Sequence, residues 1–170
     1  MLFRSVDKRP NKGAVVAVVS QPHLASMFEA MAELEGVCAR FAAERMTKSE
    51  RYAFEARHIA SVQFVESGAE LEYEAHNTQF HTDIYLGAHS THLFDLVTAT
   101  RSRLAPFRRA QFRLQGRLAK SHAEHEAIVA SILQGNGKAA EEAARQHVAI
   151  VSDASSVLVR STLHPADSQQ

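Results

Sequence analysis

Apolar residues recur at three- and four-residue spacing along most of this chain, the period of helices that bury one face. Leu24, Met27, Phe28, Met31, Leu34, Cys38 and Phe41 make the first stripe and predict a helix over about 21–45. Ser20 is placed to cap it, and Pro22 falls in its first turn, where the missing N–H costs no hydrogen bond. Thr47-Lys48-Ser49-Glu50 reads as a capping box; it opens a second helix that runs to about 66, where Ser67-Gly68 breaks it. A third helix is expected over about 69–86 and a fourth over about 90–112, kinked at Pro106. Ser121-His122-Ala123-Glu124 reads as a second capping box; the fifth helix it opens closes at Gly135, and a sixth follows over about 138–160. The loops are short, so consecutive helices should pack nearly antiparallel. The expected fold class is all-α, an antiparallel bundle of six to seven helices.

One segment departs from the helical period. Gly13–Ser20, "GAVVAVVS", is rich in β-branched residues and is the only convincing strand in the sequence. No pairing partner is visible in the polar, basic residues before it, so it reads as the end of something larger. The tail "STLHPADSQQ" (161–170) is expected to be disordered.

Composition narrows the class without choosing a function. The chain has 170 residues, enough for one domain with a good core. Its formal charge is zero, which gives no bulk argument for nucleic acid or a membrane surface. The apolar run near the N-terminus is too short to span a bilayer. A single cysteine, Cys38, rules out an intrachain disulfide and fits a reducing cytoplasm. The charge is uneven, however. No acid occurs between Asp95 and Glu124, an interval holding Arg101, Arg103, Arg108, Arg109, Arg113, Arg117 and Lys120. A solvated basic face, an inward-steered anionic ligand and a surface near DNA all fit that stretch.

The histidines carry the chemistry. Tyr73, Asn77, Phe80, His81 and Ile84 share one helical face, with Asn77 and His81 one turn apart and able to reach one point. His125 lies in the stripe of Ile128, Val129 and Ile132, and His147 in that of Ala140, Ala144, Val148 and Val151. His76 falls well round the helix from His81 and is expected to face solvent, as is His122. A buried histidine alone is most simply a core residue bonded to a backbone carbonyl. Three histidines and an asparagine on core-facing stripes are most simply satisfied by a shared divalent metal. Other templates fit poorly. There is no His-Glu-x-x-His motif and no Gly-rich phosphate loop, and Glu55-Ala-Arg-His58 reads as a helix-surface pair. No core-facing Glu or Asp is evident on these stripes, which counts against a hydrolase that needs a general base.

In order and spacing, "RPNKGAVVAVVS", "MFEAMAELEGVCARFAAERMT", "HNTQFHTDIYLGAHSTHL", "RLAPFRRAQF", "SHAEHEAIVASILQGNGKAA" and "ARQHV" carry a resemblance across about residues 9–150. The chain resembles the FadR-like C-terminal sensor domain, the FCD type, of GntR-family bacterial transcriptional regulators. The resemblance implies that residues 1–20 are the wing and last strand of a winged helix-turn-helix whose remainder is missing, that 21–160 form the helical effector domain, and that operator DNA is reached only through the missing part. It implies metal ligands at Asn77, His81, His125 and His147. Many relatives carry aspartate where Asn77 stands, and a neutral carbonyl is a weaker ligand. It implies an arginine in the first helix near Met31. Methionine stands there, and Arg101, one turn from Val97 and Leu104, is expected to face the pocket instead.

The function expected from the residues and the resemblance together is effector sensing in a cytoplasmic homodimer. A small carboxylate would bind beside a divalent metal, zinc first and nickel second, and alter DNA binding. The alternative is a metal-dependent hydrolase or lyase using the same three histidines.

Overall fold

The computed structural model describes residues 5–8, 14–17 and 20–163, with side chains from 20 to 156. Two short strands, β1 (Ser5–Lys8) and β2 (Ala14–Ala17), pair antiparallel, with Val6 opposite Val16 and Asp7 opposite Val15. The strand expected in "GAVVAVVS" therefore has a partner after all, and it lies upstream in the stretch that reads as merely polar. The alternation Ser-Val-Asp-Lys is too short to stand out as a strand by itself.

Seven α-helices follow. α1 (Gln21–Arg45) has the predicted bounds, and the Ser20 side chain accepts from the His23 N–H at its start. α2 (Lys48–Ala60) opens on the predicted capping box, Thr47 with Glu50. It stops short of the expected end, at Ser61, whose hydroxyl donates to the His58 carbonyl at 2.6 Å. A separate short helix, α3 (Val62–Ser67), then ends at Gly68 in the left-handed conformation, φ 67°. α4 (Glu70–Gly87) and α5 (Thr91–Ala110, with Pro106 inside) come next, and a single 3₁₀ turn at Gln111–Arg113 finishes α5.

α6 (Arg117–Leu133) starts a turn before the predicted cap. Gly116, at φ 73°, turns the chain into it. Ser121 lies buried inside the helix, and Glu124 is drawn to Arg117 and His147 rather than back to a helix start. The second capping box is thus a sequence match without the structure. α7 (Gly137–Leu163) runs into the segment expected to be disordered, and that expectation from 164 onward lies outside the described residues.

α1 is the central helix. It packs most extensively on α7, and also on α4, α5 and α6. Its buried line runs Leu24, Phe28, Met31, Glu35, Cys38, Ala42. Leu104, Val97, Ile84, Ile128, Ile132 and Val148 close over it to form one apolar core. Arg51 of α2 ties two helix ends together by donating to the carbonyls of Ala43, Met46, Ile132 and Leu133. These carbonyls lie at the C-terminal ends of α1 and α6, so one cation sits at the negative end of both helices. No helix among the described residues is long and apolar enough to cross a membrane.

Candidate metal centre and adjoining cleft

α4, α6 and α7 each turn one histidine inward to the same point. His81, His125 and His147 are buried, and one ring nitrogen of each lies within 4.8 Å of the others. The ring centroids are 5.3 Å apart for His81 and His125, 5.2 Å for His81 and His147, and 4.7 Å for His125 and His147. Burial is the main reason that all three hold their protons less readily than an ordinary histidine. Arg101 adds to this for His81 and His147 adds to it for His125, while Glu124 opposes it for His147. Neutral imidazoles are what metal ligation needs.

The donor set fits a divalent ion on its own evidence. Both ring nitrogens of His125 and Nε2 of His147 are buried with no hydrogen-bond partner. Three convergent neutral imidazoles, two of them with unmet lone pairs and the third facing only the Arg108 guanidinium, have in one metal ion the simplest common partner. These three histidines could hold such an ion. Asn77 is also buried, one turn before His81, and lines the neighbouring cleft.

That cleft, of about 230 Å³, is walled by Asn77, Tyr85, Arg101 and Arg108, with Glu74 and Arg109 also on its lining. Arg101, the predicted pocket residue, does line it, but its guanidinium is committed inward. Its Nη1 donates to Glu35 Oε1 at 3.0 Å and to Tyr85 Oη at 3.2 Å. Arg108 reaches deeper. Its Nη1 lies 3.4 Å from Glu35 Oε1 and its Nη2 lies 3.4 Å from His81 Nε2. Arg108 Nε and Nη1 are buried without an aligned acceptor. Burial, then Arg101, pulls its pKa down to about 10, still charged at neutral pH.

Glu35 is the residue that sequence reasoning missed. Its carboxylate is 2% exposed, accepts from Tyr85 Oη at 2.7 Å and stands 3.0 Å from His81 Nδ1. Burial raises its pKa, but His81 first, then Arg108 and Arg101, outweigh burial and hold it well below the usual carboxylate range. The expectation of no core-facing acid is therefore wrong. The signal was present: Glu35 follows Met31 by four and precedes Cys38 by three, so it sits in the middle of the buried line of α1.

A second correction concerns the other histidines. His58 is buried rather than on the surface, and its Nε2 pairs with Glu126 Oε2 at 2.7 Å. His122 stacks on it with centroids 4.3 Å apart. His76 is half-buried against Phe64, Tyr73 and Phe80 rather than solvent-facing, and burial, then His58 and His122, lowers its pKa to about 4. These three do not converge as the first three do. Four of the seven bases of the acid-free stretch are tied to acids, while Arg103, Arg113 and Lys120 are exposed. Arg101 and Arg108 meet Glu35, Arg109 meets Glu74, and Arg117 grips Glu124 through both oxygens.

The family described as the FCD domain matches residues 26–149. No curated protein matches the chain. Among solved structures, the chain is similar to GntR of Streptococcus agalactiae at TM-score 0.64 and 18% identity, covering 87% of this chain and 74% of that one. It is similar to McbR/YncC of E. coli at TM-score 0.71 and 16% identity, covering 94% of this chain and 74% of that one. At such identities the likeness is one of fold.

Proposed function

The chain belongs to the FCD domain family, and from that premise we propose that it is the effector-sensing and dimerisation domain of a GntR-family transcriptional regulator. In this reading His81, His125, His147 and Asn77 hold a divalent metal, zinc first and nickel second, because three imidazoles and an amide oxygen suit those ions. The bound ion supplies a Lewis-acidic centre for a small carboxylate in the adjoining cleft. Operator DNA is contacted through a winged helix, of which the β1–β2 hairpin is read as the wing and last strand. The setting is a cytoplasmic homodimer, as symmetric operators require.

One observation carries the proposal. The cleft next to the histidine cluster is walled by Arg101 and Arg108, and two N–H-bearing nitrogens of the buried Arg108 lack an aligned acceptor. A buried guanidinium with unmet donors is a ready anchor for a carboxylate. An acid bound there touches side chains of α4 and α5, both of which pack on α1. It can therefore bias how those helices pack, the change a sensor domain must transmit.

The hydrolase or lyase reading needs a free general base. Glu35 and Glu124 both lie at the site, but Glu35 is engaged by Tyr85 and Arg101 and held against His81, and Glu124 by Arg117 and His147. Charged and hydrogen-bonding neighbours hold Glu35 well below the usual carboxylate range and lower Glu124 too, which makes both weak general bases. Calorimetric titration of the zinc-loaded chain with mono-, di- and hydroxycarboxylates tests the sensing reading. At least one acid should bind, and its binding should be lost in Arg101→Gln. A complete panel without binding contradicts it.

A further inference from the structure

Two of the three convergent histidines have a carboxylate behind them, Glu35 buried and Glu124 half-buried. Glu35 Oε2 stands 3.0 Å from His81 Nδ1, and Glu124 Oε2 stands 2.7 Å from His147 Nδ1. The first contact is off the line of an ideal N–H donor, but an imine lone pair facing a carboxylate at that distance would be repelled. The proton therefore belongs on Nδ1 in both rings. Each Nε2 is then the lone-pair nitrogen, and in His147 that nitrogen has no partner. At His81 the lone pair is not free. Arg108 Nη2 lies 3.4 Å from it, placing a positive charge at the nitrogen that would face an ion.

We propose that Glu35 and Arg108 are positioning residues that set the metal affinity of the histidine cluster in opposite directions. The inference rests on the metal reading above. Glu35 raises the affinity. Its carboxylate fixes the His81 tautomer, orients the ring and makes Nε2 more basic, as outer-shell carboxylates do for ligand histidines. Arg108 lowers the affinity, because it competes for the Nε2 lone pair and repels a divalent cation at short range. The two are joined through Glu35 Oε1, which lies 3.4 Å from Arg108 Nη1 and accepts from Arg101 at 3.0 Å. An anion in the cleft that engages the unmet donors of Arg108 would draw that charge away from His81. The cleft and the metal cluster thus share a residue, and occupancy of one raises affinity at the other. Glu124 repeats the first half of the device on His147, held in place by the two-point grip of Arg117.

Cobalt(II) titration of the chelator-treated chain, followed by visible absorption and calorimetry, tests this. Glu35→Gln should weaken cobalt binding by roughly tenfold or more, the usual range for an outer-shell carboxylate. Arg108→Met should tighten it by roughly tenfold, since a cation is removed beside the ion. Simple damage to their shared ion pair would weaken both variants. Any pattern other than opposite signs overturns the inference while leaving the metal reading intact. Wild-type chain that binds no cobalt removes the metal reading and this inference with it. Long-range ¹H–¹⁵N spectra of the wild-type chain need no variant to fold. Nδ1–H tautomers at His81 and His147 are expected, and an Nε2–H tautomer at His81 overturns the role given to Glu35.

Discussion

Two groups of three histidines meet at Phe80, one buried throughout and the other buried only at His58, and they differ in how their rings are held. In one, His81, His125 and His147 bring their ring nitrogens together, and carboxylates stand behind two of them. In the other, His58, His76 and His122 are held by ring contacts rather than by converging nitrogens. His58 stacks on His122, and both His58 and His76 tilt against Phe80 at 5.9 and 6.4 Å. Phe80 itself stacks on His125 at 4.0 Å with planes 9° apart and on Phe54 at 5.0 Å. The second group shows that an imidazole can be core filling, valued for its flat face. What marks the first group as a site is the convergence of lone pairs and the carboxylates that aim them.

The largest expected effect separates the groups by metal content. His81→Ala, His125→Ala or His147→Ala should lower zinc affinity by more than ~100-fold, beyond what loss of an outer-shell group costs. His58→Ala should leave it within severalfold. Elemental analysis of the four purified variants decides, and zinc lost from the His58 variant would erase the distinction.

Much of this was legible in the sequence. The three convergent histidines stood out because each sits in a clean apolar stripe, and the start of α1 was marked by Ser20 and Pro22. What stayed hidden was hidden for physical reasons. Glu35 lies on a buried line, but a carboxylate there makes sense only with Tyr85, His81 and Arg101 around it, and those come from α4 and α5. Glu124 matched a capping box in sequence, whereas its partners are a preceding arginine and a histidine of α7. His58 and His76 were misread because amphipathic spacing describes only the face each helix offers to one neighbour, and α2 and α4 bury a second face against α6 and α3. Arg108 was hidden among seven basic residues, and only its depth sets it apart.

Phe80 is the wall between the groups, so removing it should damage both. Phe80→Ala should cost about 3–5 kcal/mol of stability, the range for a buried phenylalanine, measured by urea unfolding of the chelator-treated chain. A loss below about 1 kcal/mol would mean that the two groups do not lean on a common ring.

Acid offers a smaller, graded contrast. Burial holds the pKa values of His58, His81, His125 and His147 below the ordinary 6.5, so the unfolded chain takes up more protons as pH falls. Their contribution to stability is thus complete above the unfolded pKa and is lost as pH drops below it. Each histidine contributes a slope of up to ~1.4 kcal/mol per pH unit. The melting temperature of the chelator-treated chain should fall steadily from pH 7 to pH 5, and His58→Gln should flatten that fall by up to one proton. A flat profile would contradict neutral burial of both groups.

The smallest effect sharpens the first group alone. Asn77→Asp places a carboxylate where the neutral amide stands, and should tighten zinc by about tenfold. Unchanged affinity would remove residue 77 from the ligand set.

Everything proposed for this domain rests on His81, His125 and His147 holding a metal ion. The most direct test is the metal content of the wild-type chain, measured by mass spectrometry after incubation with zinc and removal of free ion. One zinc per chain is expected, released by chelator with a fall in melting temperature. A chain that holds no zinc, and whose melting temperature is the same with and without chelator, contradicts it.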